Sequence, residues 1–231
     1  MIPDKNLFII TSAIKPSIGV FNFETRFNQT VASVKSVREK VPDAIIVLAD
    51  VSLQPLTDME RQILSQYCNL HIDLSGEQVT RDLSQRGMKS QAENVLLFNT
   101  LMTIKNNPDI SKILYSVKRI FKFSARTILE DSFNIHEYDN LFGKFVFKKR
   151  IPTWMGQTQH GADHLLITRM YSFCISLLDT YLTVIHNNLR IMDVIDTEHA
   201  HFVNIPKNHL IEFDKIHCWG WLAGNGQIEH Y

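Results

Sequence analysis

The sequence predicts an α/β fold in one domain, with a mostly parallel central sheet flanked by helices. Three observations predict it. Apolar runs of strand length alternate with longer stretches of helical period, the pattern of parallel strands joined by crossover helices. The 231 residues suit a single domain, and 45% are apolar, enough for a substantial core. The third is a run at mid-chain, Lys112–Ile120 continuing into Phe121–Leu129, where a doubly wound sheet has its central strand.

The elements follow in order. Leu7–Ser12 is a short buried-strand signal ending in hydroxyls, followed by a loop over Ala13–Phe23. From Glu24 to Lys40 the period becomes helical, with Phe27, Val31, Val34 and Val37 on one stripe, and Pro42-Asp43 stops the helix. Ala44–Ala49 reads as the second strand, with Asp50 at its carboxyl end. Thr57 and Glu60 have capping-box spacing and open a helix through about Tyr67. Asn69–Leu74 is the third strand, Ser75–Ser90 a polar stretch, and Gln91–Asn106 a helix ended by Asn107-Pro108. Beyond the central run, Lys144–Arg150 reads as a strand with a basic end. Ile151–Asp163, with Trp154, Gln157, Gln159 and His160, reads as a loop that could close over a ligand. Leu165–Leu189 reads as a strand followed by a buried helix.

Composition narrows the function classes. Lys+Arg and Asp+Glu are equal at 24 each, so there is no basic excess of the kind that marks a nucleic-acid surface. No apolar run approaches bilayer-spanning length, and the first ten residues lack the features of a signal peptide. Three widely spaced cysteines, Cys68, Cys174 and Cys218, read as free thiols, and the expected compartment is the cytoplasm.

Charges in the central run need an explanation. A buried strand carrying Lys122 and Arg126 must give those cations a partner, because an unpaired buried charge is very costly. A bound anion is one such partner; an edge strand with solvated cations is the alternative. Glu198, His199 and His201 invite a metal reading: on a strand, where i and i+2 face the same way, His199 and His201 could meet one ion, whereas on a helix they point apart, and no metal site is expected.

Four segments carry a family likeness: Thr25–Thr30 leading into Ser33–Leu48, Met88–Glu93 ahead of a long helix, Phe121–Arg126, and Ile195–Ala200 followed by Gly220-Trp221 and Gly224–Gly226. Together they resemble small GT-A-like glycosyltransferases found in large DNA viruses, bacteriophages and bacterial polysaccharide loci. The resemblance implies a Rossmann-like GT-A sheet, with residues 1–130 as the nucleotide-binding half and 131–231 as the acceptor half. It implies transfer of a sugar from a nucleotide-sugar donor to a glycan or lipid-linked acceptor, in the host cytoplasm if the protein is viral. Thr11, Ser12 and Asp50 would contact base and ribose; Arg26, Lys89, Lys122 and Arg126 would supply charge for the diphosphate, with Glu93 beside Lys89. Asp196 and Glu198 are the candidates for the base that deprotonates the acceptor. Trp154, Trp219 and Trp221 could form an acceptor platform or belong to the core.

Each residue also has a plainer reading. Asp50 could be a turn acid, Lys89 and Glu93 an intrahelical ion pair, and Asp196 with Glu198 a helix N-terminal pair. The sequence departs from the family pattern at Ala92 and Ala125, where glycines are expected, and it has no Asp-x-Asp after the central strand. That absence favours metal-independent transfer while leaving Mn2+ or Mg2+ open. It also supports the alternative of a catalytically inactive GT-A-like binding or assembly module. A methyltransferase of related fold is weakened by the lack of a glycine-rich turn after Ser12.

Overall fold

In the computed structural model, which describes residues 3–16, 20–153, 160–222 and 225–231, the chain builds a seven-stranded sheet. Its strands are β1 (Lys5–Ser12), β2 (Ile45–Asp50), β3 (Leu70–Asp73), β4 (Val117–Ser124), β6 (Phe145–Lys148), β9 (Met170–Cys174) and β10 (Leu210–Phe213). They lie in the order β10-β6-β9-β4-β1-β2-β3, so β4 is the middle strand. All neighbours are parallel except β9, which runs antiparallel to both β4 and β6. Three short strands, β5 (Thr127–Leu129), β11 (Cys218–Trp221) and β12 (Ile228–His230), form a second sheet. A ladder of β7 (Ile151–Pro152) and β8 (His164–Leu165) is the third.

Alternation along the strands creates two core layers. Leu7 and Ile9 of β1 point into one, with Leu97 and Leu101 from helix α4 (Lys89–Asn106) and Tyr181 and Ile185 from helix α6 (Leu178–Ile191). Phe8 and Ile10 point into the other, with Phe121 and Phe123 of β4 and Val34 and Val37 of helix α1 (Phe23–Lys40). A period of two on the strands and helices on both faces are what the doubly wound pattern requires.

The helix ends follow local chemistry. Asn22 caps α1 by accepting from the Thr25 amide at 2.9 Å, with Glu24 in the first turn and Arg38 and Lys40 in the last. Helix α2 (Asp58–Ser65) opens with the expected capping box between Thr57 and Glu60. Helix α7 (Thr197–Asn204) is capped by Asp196, which accepts from the His199 amide at 2.9 Å.

Two expectations need correction, and one alternative left open is decided by the geometry. Ser75–Ser90 contains helix α3 (Gln78–Gln85), which buries only Thr80 and so lacks the apolar stripe that would announce it. The central strand begins at Val117, not Lys112. Asn107 and Pro108 start a short helix, α5 (Pro108–Ser111), and a 3-10 turn over Lys112–Ser116 follows, with Lys112 and Tyr115 exposed. The segment Ile195–Val203 forms most of α7, so His199 and His201 diverge. His199 bonds Asp196 and Thr153, while His201 meets the Thr197 carbonyl and Tyr181.

Candidate functional site

The register of the three inner strands determines where polar groups collect. Thr11 is paired with Ala49 and Ser124, and Ser12 with Asp50, so the carboxyl ends of β1, β2 and β4 finish level. In open α/β sheets ligands bind outside that edge. Here it forms the floor of a cleft of about 900 Å³ including its open mouth. Thr11, Ser12 and Ser124 supply hydroxyls; Arg26, Lys89 and Arg126 supply cations; Pro16, Phe21, Val51, Leu53 and Leu96 make an apolar side. Helix α4 enters the cleft wall with Lys89, Ala92 and Glu93, and no side chain caps its first turn.

Lys122 does not line the cleft; it is 2% exposed and lies 2.6 Å from Glu93, which does. Its ammonium also donates to Ser124 Oγ and the Thr168 carbonyl, both at 2.8 Å. Glu93 further accepts from Thr11 Oγ1 at 3.0 Å. The partner of the buried lysine is therefore this carboxylate, rather than a bound anion or solvent, and Glu93 pairs with Lys122 instead of forming the intrahelical pair with Lys89. Burial alone would push the Glu93 carboxyl up. The charge and hydrogen bond of Lys122, helped by Arg126 and Arg169, pull it down to about 2.

The arginines are held from behind. Arg26, 8% exposed, donates to the Ala13 carbonyl at 3.4 Å and to Gln29 at 3.2 Å. Arg126 donates to the Trp221 carbonyl at 3.1 Å, and the Trp221 amide returns a bond to the Arg126 carbonyl at 3.0 Å. Burial and the like charges of Arg169 and Arg26 lower the Arg126 pKa to about 9. Burial likewise lowers Arg26 to about 10, against the attraction of Asp50 and Glu93.

Two expected site residues have other employment. Asp50 is 1% exposed; its carboxylate accepts from the Ile14 amide at 3.0 Å and the Ser52 amide at 3.2 Å, and it does not line the cleft. It ties the loop after β1 to the end of β2, the turn-acid role, and burial raises its pKa. Asp196 caps α7 and holds the His199 ring at 2.6 Å. Glu198 is different. It accepts from Thr168 Oγ1 at 2.7 Å, so Thr168 joins it to Lys122, and burial raises its pKa, with Asp196 and Glu93 adding to the rise. Helix α7 is fastened to α4 through Asn94 and Thr197 at 2.8 Å.

Sequence reasoning missed Thr168 and Arg169. The Arg169 carbonyl accepts from the Ser124 amide at 2.9 Å beside the end of β4, and its charge acts on Arg26, Arg126 and Glu93. The one available signal was a polar pair interrupting the apolar run from Leu165. Trp219 and Trp221 share the outer face of β11, half-buried, with rings 4.8 Å apart. Trp154, Gln157 and Gln159 of the expected closing loop, and Gly224, lie outside the described residues.

The residues at the end of β4 do not fit a divalent metal. Ser124, Ala125 and Arg126 stand where an Asp-x-Asp would be needed, Glu93 is bound by Lys122, and Asp50 is spent on backbone amides. Among the described residues no group of three or more His, Cys, Asp or Glu could hold a metal. Three free cysteines are present, two of them buried, and among the described residues no helix is long and apolar enough to cross a membrane.

No protein-family model and no curated protein sequence matches the chain. Solved structures do. The galactosyltransferase LgtC, crystallised with donor and acceptor sugar analogues, superposes with a TM-score of 0.53 at 8% identity, over 89% of this chain and 72% of that one. The mannosyltransferase Ktr4p from S. cerevisiae gives 0.53 at 8% identity, over 91% and 69%. The apo structure of the bifunctional glycosyltransferase WbbM gives 0.53 at 8% identity, over 90% of this chain and 38% of that one. The chain therefore has the GT-A-like fold of these enzymes, a mixed α/β domain around a mostly parallel seven-stranded sheet.

Proposed function

We propose that this protein is a glycosyltransferase that binds a nucleotide-sugar in the cleft and passes its sugar to a glycan or lipid-linked acceptor. One observation carries the reading: hydroxyls, three cations and an apolar side meet at the level carboxyl ends of β1, β2 and β4. A sugar nucleotide has matching parts. Its base suits the apolar side with Phe21 and Leu53, its ribose the Thr11 and Ser12 hydroxyls, and its diphosphate the cations Arg26, Lys89 and Arg126. The likeness to sugar transferases supports the same reading.

In the transfer, the bond from the anomeric carbon to a diphosphate oxygen breaks and its electron pair stays on that oxygen. The acceptor hydroxyl oxygen bonds the carbon, and its proton passes to a carboxylate. Cations preorganised around the diphosphate stabilise the charge that develops there. Glu198 is the better candidate for the base, since Asp196 is engaged as a helix cap. The acceptor would lie in the 131–231 half, where Trp219 and Trp221 offer a half-buried aromatic face for a sugar ring. The setting proposed is the cytoplasm.

The test is release of free nucleoside phosphate from a panel of sugar nucleotides, with and without simple sugar acceptors. Release from one donor, increased by acceptor, is the expected result. Tight donor binding with no release under any condition would favour an inactive binding module instead.

A further inference from the structure

Arg26, in the first turn of α1, and Arg126, in the turn after β4, line the cleft, and Arg169, in the bend before β9, stands behind them with its backbone bonded to Ser124, its side chain bonded to Tyr231 and its charge acting on both arginines. None of them forms an ion pair within 4.0 Å among the described residues, although the chain elsewhere pairs its cations freely. The nearby carboxylates are already committed, Glu93 to Lys122 and Asp50 to two amides. Since Lys122 cancels Glu93, the cleft keeps a surplus of positive charge in a protein whose formal net charge is zero. Gathering partly buried like charges is unfavourable unless an anion joins them.

The arrangement is also built into the backbone. Strand β11 approaches the Arg126 peptide so closely that a Cβ on Gly220 would stand 2.6 Å from the Arg126 carbonyl oxygen. Only glycine allows the reciprocal Arg126–Trp221 bonds that aim this guanidinium. The Ser124 amide similarly fixes the Arg169 backbone beside the end of β4.

We infer that Arg26, Arg126 and Arg169 form a metal-free diphosphate cradle, doing for the donor what a divalent ion does in metal-dependent enzymes of this fold. The inference rests on the reading that the cleft holds a nucleotide-sugar. Guanidinium forks can grip adjacent phosphates bidentately, and they neutralise the leaving diphosphate without a metal. Arg169 thereby becomes a diphosphate-binding residue that no motif in the sequence announces.

The test is calorimetric titration of the protein with inorganic pyrophosphate, in EDTA and again with Mn2+, followed by the same titrations with sugar nucleotides. The expected result is pyrophosphate binding in EDTA that Mn2+ does not strengthen. Arg126→Gln and Arg169→Gln should each weaken it about tenfold or more, the scale of one charge-assisted hydrogen bond. Arg126→Lys, which keeps the charge but loses the fork, should fall between wild type and Arg126→Gln, and circular dichroism of each variant checks that it is folded. Binding only with Mn2+, or binding that both glutamine variants retain in full, would overturn the cradle. Sugar-nucleotide binding that requires Mn2+ would overturn it while leaving the glycosyltransferase reading intact. Metal-free pyrophosphate binding without affinity for any sugar nucleotide would uphold the cradle and remove the donor reading.

Discussion

Lys122 Nζ and Glu93 Oε1 lie 2.6 Å apart, joining the middle strand of the sheet to the first turns of α4. The cation is sealed in, whereas the carboxylate keeps 33% of its side chain open at the cleft. Among the described residues Glu93 is the one acidic side chain lining the cleft, and its pairing with Lys122 leaves the arginines to set the field there. Breaking a buried pair from one side is expensive because the other charge is stranded. Glu93→Gln is therefore expected to cost about 3–5 kcal/mol of stability in urea denaturation, whereas Glu93→Leu with Lys122→Met should recover most of it.

The same pair gives a pH signature. The Glu93 carboxyl sits at about 2 in the folded protein against an ordinary 4.5. A depressed acid contributes stability that is complete above its unfolded pKa and fades as pH falls toward its folded one. Urea midpoints should therefore drop between pH 4.5 and pH 2, and more steeply for wild type than for the Leu/Met double variant. Equal slopes would show that the pair does not hold Glu93 ionised.

The two candidate bases separate by what each already does. Glu198→Gln removes a proton acceptor and should lower kcat about 10²–10⁴-fold with donor affinity unchanged. Asp196→Ala removes a helix cap and should cost about 1 kcal/mol of stability while largely sparing kcat. Steady-state kinetics with thermal melts of both variants would expose a reversed assignment.

Asp50 is assigned to the scaffold. Asp50→Ala strands the buried amides of Ile14 and Ser52, each worth about 1–3 kcal/mol, so a large drop in melting temperature is expected. Preference among nucleotide bases should stay as in wild type; a change in that preference would return Asp50 to the binding site.

Gly220 links the small sheet to the cleft. A methyl group there meets Arg126 backbone at 2.6 Å, and backbone cannot swing aside as a flexible side chain can. Gly220→Ala should lower both melting temperature and pyrophosphate affinity. A loss of stability alone would mean that Arg126 is aimed by something other than β11.

Much of the fold was legible because its signals are local. The Thr57–Glu60 capping box, the helical stripe through Val34 and Val37 and the apolar run of β1 each lie within one element. Helix α3 stayed hidden because it turns almost no apolar surface inward, and the start of β4 because an apolar 3-10 turn imitates a strand. Residue type and strand-end position together were enough to single out Thr11, Ser12 and Arg126, which line the cleft beside Arg26 of α1. The site was illegible where long-range partners decide the role: Asp50 bonds amides from the neighbouring loop, Lys122 meets Glu93 across 29 residues of chain, and Arg169 reaches β4 only through the antiparallel return of β9.

The most direct test of the central claim is a thermal-shift screen of the purified protein in EDTA against UDP-, GDP- and dTDP-sugars, with a CMP-sugar as the single-phosphate comparison. A ligand that binds only the native state raises the melting midpoint by mass action. One nucleoside diphosphate family is expected to raise it, with the rise lost in Arg126→Gln. No rise with any donor, with or without added Mn2+ or Mg2+, would contradict the assignment of this cleft to a nucleotide-sugar.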